Sequence, residues 1–104
     1  MMRLTAVVAS VSGLRAAEVS VWIERGWVRP EGDGDDPEFA DVDVARIRLI
    51  RDLRTAMELE DETIPLVLSL LDQVYESRGR LRSVLRAVEA QPASVRAAIL
   101  AAIG

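Results

Sequence analysis

The sequence predicts an all-α fold in the main: a small helix-turn-helix unit with an acidic wing, followed by a long C-terminal helix. Three observations carry this. Apolar residues recur at helical spacing in successive segments. Gly and Pro fall where those segments end. The second half holds a heptad seam over three repeats.

The first helix is expected around Thr5 to Val11, with Leu4, Val7, Val8 and Val11 at helical spacing and Ser12-Gly13 breaking it. The second runs from Arg15 to Arg25 and places Ala16, Val19, Trp22 and Ile23 on one face. Gly26 is suited to the left-handed position that closes a helix, and Pro30 cannot continue one. Residues 31–40 read as a loop or small β-wing. Asp41 or Asp43 then caps a helix reaching about Leu59, its apolar face formed by Val44, Ile47, Ile50, Leu53 and Met57. Thr63 or Asp61 caps the longest helix, Ile64 to about Ala90, with Pro65 in its first turn. Its seam is Val67, Leu71, Val74, Arg78, Leu81, Leu85 and Val88. Gln91-Pro92 breaks the chain, and residues 93–103 form a last short apolar helix. The expected division is residues 1–60 for the winged unit and 61–104 for the long helix and its successor.

The 104 residues include no cysteine and no histidine. Disulfide scaffolds, thiol nucleophiles, Cys/His zinc sites and histidine bases are therefore excluded. The net charge is −4, and every basic residue is arginine. Residues 31–43 alone carry seven acids (Glu31, Asp33, Asp35, Asp36, Glu38, Asp41 and Asp43) and no base. The calcium-loop spacing is absent there, so no metal is expected. No apolar run reaches the length of a membrane span and no signal-peptide pattern is present, so a cytoplasmic protein is expected.

Three segments in order resemble a known family: WIERGWVRPE (22–31), DVARIRLIRDLR (43–54) and DETIPLVLSLLDQ (61–73). Together they resemble the winged helix-turn-helix of MerR-type regulators and, within that group, the bacterial chaperone modulator family CbpM. The resemblance spans roughly residues 4–90. It implies a small, dimeric, cytoplasmic adaptor without enzymatic activity or cofactor. Such an adaptor binds the J-domain of a DnaJ-like co-chaperone and inhibits its work with DnaK. Two departures from the family pattern stand out. Glu58 occupies a position where a glycine is expected after the Met, and Tyr75-Glu76-Ser77 replaces a His-Gly-Leu-like stretch.

The alternative function is DNA binding of the MerR type. It requires cations facing phosphate, yet the wing carries Asp35, Asp36 and Glu38, and the second helix sets Glu18 and Glu24 between Arg15 and Arg25. Like charges across a groove repel, so nucleic acid is an unfavoured partner. The expected J-domain contacts are the acids Asp33, Asp35, Asp36 and Glu38, which steer a basic surface, and Trp27 and Val28 as apolar anchors. Trp27 is equally suited to the core; Trp22 is expected in it. The seam from Val67 to Val88 is expected to form a homodimer, antiparallel or crossed. The competing arrangement folds residues 93–103 back over that seam in a monomer.

Overall fold

The computed structural model describes every residue except Asp33 and Asp35. The described residues are mainly helical. The chain runs β1 (Met2–Arg3), α1 (Leu4–Ser10), α2 (Ala16–Glu24), β2 (Glu38–Phe39), α3 (Asp41–Thr55), α4 (Ile64–Glu89) and α5 (Ala93–Ile103). It divides into two compact units, Met1–Leu68 and Ser69–Gly104.

The first unit has one apolar core. Val7, Val11 and Leu14 enter from α1 and its turn, Val19 and Trp22 from α2, Val44, Ile47 and Ile50 from α3. Trp27, Val28 and Phe39 fill the space between them, and Ile64 and Leu68 from the start of α4 close it. That burial explains why the unit extends past the expected boundary at residue 60.

Helix α2 ends as its sequence requires. Gly26 adopts φ 75°. The Gly26 N–H donates to the Ile23 carbonyl at 3.0 Å and the Trp27 N–H to the Trp22 carbonyl at 2.9 Å. These are the two bonds of a Schellman cap, which turns the chain so that Trp27 follows Trp22 into the core.

The 31–40 segment is tied to the N-terminus. β1 and β2 pair antiparallel, with Met2 opposite Phe39 and Arg3 opposite Glu38. Sequence reading missed β1, because two residues are too few to show a period of two. Glu31 and Glu38 also exchange both backbone hydrogen bonds, each at 2.9 Å.

Helix α3 stops at Thr55, short of the expected Leu59. Met57 is therefore not part of its apolar face and stands 63 % exposed. Glu58 takes φ 52°, the left-handed conformation that glycine favours. The Leu59 N–H then donates to the Leu53 carbonyl at 2.8 Å, and Leu59 packs against the core in the place expected of Met57. Asp43 caps α3 through Oδ2, which accepts the Ala40 N–H at 3.1 Å. Thr63 precedes α4, its carbonyl accepting the Val67 N–H at 3.2 Å.

The second unit is the rest of α4 with α5. Residues 93–103 form α5, as the sequence predicts, but none of them is buried. Leu81 is 58 % exposed, Leu85 44 %, and Val74 is also exposed, so α5 does not cover the seam. Val67 and Leu71 are half-buried, and Val88 is buried within the chain and is not part of the exposed stripe.

Candidate functional site

Three of the four arginines of α3 are engaged by the rest of the fold, while Arg48 is exposed. Arg46 Nε donates to the Trp27 carbonyl, and Arg51 Nη1 to the Ser12 carbonyl at 3.2 Å. Arg54 reaches furthest: Nη1 meets Glu18 Oε2 at 3.2 Å and Nε meets Asp61 Oδ1 at 3.0 Å. Both carboxylates hold a second arginine. Glu18 Oε1 lies 3.3 Å from Arg15 Nε, and Asp61 Oδ2 lies 3.2 Å from Arg25 Nη1. Five charged groups thus link α2, α3 and the turn before α4, with Arg54 at the centre. Arg54 also stands over the Trp22 ring, 5.9 Å from its centroid, and Arg25 over Trp27 at 5.1 Å. The expected cap Asp61 is used here instead.

The expected anchors Trp27 and Val28 are 5 % and 1 % exposed. Their side chains belong to the core, which the Schellman cap dictates, and little of either is left for a partner. Trp27 lines a shallow groove of about 420 Å³ with Arg25, Asp61, Glu62 and Pro65. A cleft of about 490 Å³ has Val28 in its wall, along with Leu4, Ile23, Pro30 and Pro37. Arg29 stands at this cleft, exposed and without an ion pair among the described residues. Ile23 is half-buried, packs against the core and also lines this cleft. The sequence places Ile23 between Val19 and Ala16 inside the apolar stripe of α2, which reads as core and gives no sign of this exposure.

The acidic segment separates into distinct roles. Asp36 Oδ1 accepts the Leu4 N–H at 3.2 Å, supplying the cap that α1 lacks in its own sequence. Asp36 and Glu38 both pair with Arg3, at 3.6 and 3.4 Å. These two expected steering acids are therefore partly neutralised. Glu31 and Asp41 are exposed and carry no side-chain ion pair among the described residues. Asp33 and Asp35, the other two expected contacts, lie outside the described residues.

Among the described residues, no group of three or more His, Cys, Asp or Glu is arranged to hold a metal ion, and no helix is long and apolar enough to cross a membrane. No family model, curated protein or solved structure matches the chain.

Proposed function

We propose that the chain is a non-enzymatic modulator of the chaperone system, one that binds the J-domain of a DnaJ-like co-chaperone and inhibits its action with DnaK. In this reading the first unit is a winged helix-turn-helix of the MerR kind, with its DNA-contacting role given up for a protein partner. The protein works in the cytoplasm without a cofactor, as a homodimer through the exposed seam of α4. The observation that carries the preference for a protein partner is the pairing of α2's cations. Arg15 and Arg25 are each held by a carboxylate, and the same carboxylates hold Arg54. Phosphate would have to displace those carboxylates and then meet the acids of residues 31–43. A basic protein surface meets no such opposition, and the resemblance in sequence names the J-domain as that surface.

Contact then combines two parts. The free acids Glu31 and Asp41, with Asp33 and Asp35 in sequence between them, accelerate encounter. The cleft walled by Leu4, Ile23 and Pro30 supplies apolar contact. Surface-plasmon kinetics on a purified J-domain test this. Changing Glu31, Asp33, Asp35 and Asp41 to Gln or Asn slows association at low salt and flattens its salt dependence, while Ile23→Ala mainly speeds dissociation. An unchanged association rate in the neutralised variant overturns the steering role.

A further inference from the structure

We infer that α5 is exchanged between the two copies of a homodimer, the α5 of one copy packing on the α4 seam of the other. The inference rests on the dimer of the preceding reading and gives a role to a helix which that reading leaves unused. Of the eleven residues of α5, only Ser94 and Arg96 are polar. A helix that is apolar all round belongs to a buried position. Yet no residue of α5 is buried in the single chain, and Ile99 alone is half-buried. Val95, Leu100 and Ile103 are exposed. With Ile99 they fall at i, i+4, i+5 and i+8, which puts all four on one side of the helix. The chain's own seam does not take up this side, since Val74, Leu81 and Leu85 stay exposed as well.

On area, α4 alone falls short of holding two copies together. Val74, Leu81 and Leu85 offer roughly 300 Å² per copy, at about 100 Å² each. A stable interface takes about 800 Å² from each partner. Val95, Leu100 and Ile103 double the apolar area, and the alanines of α5 and the stems of flanking side chains add to it. The connection between the helices delivers α5 to that surface. In an antiparallel pair the C-terminal end of one α4 lies beside the first half of the other's seam. Only Ala90, Gln91 and Pro92 separate α4 from α5, so α5 lands near Val74 of the second copy. Residues 90–104 hold one arginine and no acid, so nothing in α5 selects a charged partner. A lipid surface takes a helix with one strongly charged face, which a single arginine does not make.

The chain has no cysteine, so introduced cysteines report on this contact cleanly. Chains carrying Val74→Cys and chains carrying Leu100→Cys, mixed and gently oxidised, are expected to give a disulfide-linked pair with one of each. The doubly substituted chain is expected to give linked pairs rather than an internal bridge. Leu100→Asp with Ile103→Asp is expected to raise the dissociation constant of the dimer about a hundredfold in sedimentation, with helical content by circular dichroism unchanged because neither residue is buried. Should that variant misfold, the cysteine exchange alone decides. An internal bridge in the doubly substituted chain overturns the inference, as does a mixture that links only like chains. An aspartate variant that keeps the parental dimer overturns the exchange alone, whereas a parental mass of one chain overturns the dimer itself. Tighter binding of the parent than of the aspartate variant to phosphatidylglycerol vesicles overturns it in favour of lipid. J-domain binding, assigned to the first unit, is decided separately.

Discussion

Arg54 on α3 bonds Glu18 on α2 at 3.2 Å, and the same guanidinium holds Asp61 at 3.0 Å and covers the Trp22 ring. The pair is only partly exposed, with about a third of the Arg54 side chain accessible. It therefore contributes more than a fully solvated bridge. Arg54→Ala is expected to cost about 1–2 kcal/mol in urea unfolding, through lost pairs and lost cation–π contact. Arg15→Ala, whose side chain is 80 % exposed, should stay within about 0.5 kcal/mol of the parent.

Trp27→Ala is expected to act on folding. The indole is buried and its backbone closes the Schellman cap of α2. Loss of a core Trp costs about 3–5 kcal/mol, a large part of a small domain's stability. Thermal unfolding followed at 222 nm should show a strongly lowered midpoint. A variant as stable as the parent would place Trp27 outside the core.

Backbone conformation gives a contrast in sign. Glu58 is the one non-glycine residue with positive φ among the described residues, at 52°. Glu58→Gly removes a steric cost of about 1 kcal/mol and should raise the unfolding midpoint in urea. Gly26→Ala, at φ 75°, introduces the same cost and should lower it by a similar amount. Opposite shifts in the two variants are the expected result.

The α4 seam makes a prediction about assembly. Val74, Leu81 and Leu85 are exposed in the single chain, and burial of each offers about 1.5–3 kcal/mol. Sedimentation equilibrium at micromolar concentration should give twice the chain mass, and Leu81→Glu with Leu85→Glu should reduce it to one. A parental mass of one chain contradicts the dimer.

The helices were readable because each combines a period of 3.6 with a recognisable end. Gly26 closes α2, and Pro92 fixes the start of α5 at Ala93. The α3 terminus was not readable in the same way. Its apolar period runs on to Met57, but the left-handed turn at Glu58 diverts Leu59 into that place. A glycine there would have announced the turn. The roles of the charges were the least legible. Asp36 caps a helix 32 residues away in sequence and Arg54 bridges 36 residues to Glu18, and no local pattern encodes such contacts. The helix start pointed to a cap at Asp41 or Asp43, and the fold decides for Asp43, assigns Asp36 to the start of α1 and leaves Glu31 and Asp41 without a side-chain ion pair among the described residues.

The most direct test of the account is isothermal titration of the full chain into the J-domain of a DnaJ-like co-chaperone from the same host, at 0.05 and 0.15 M salt. The account predicts saturable binding that weakens at the higher salt, where the Debye length falls to about 8 Å, together with loss of J-domain-stimulated DnaK ATPase activity. Absence of binding at both salts, with ATPase stimulation unchanged, contradicts it. A specific duplex DNA site shifted by the same preparation at 0.15 M salt would replace it with the DNA-binding alternative.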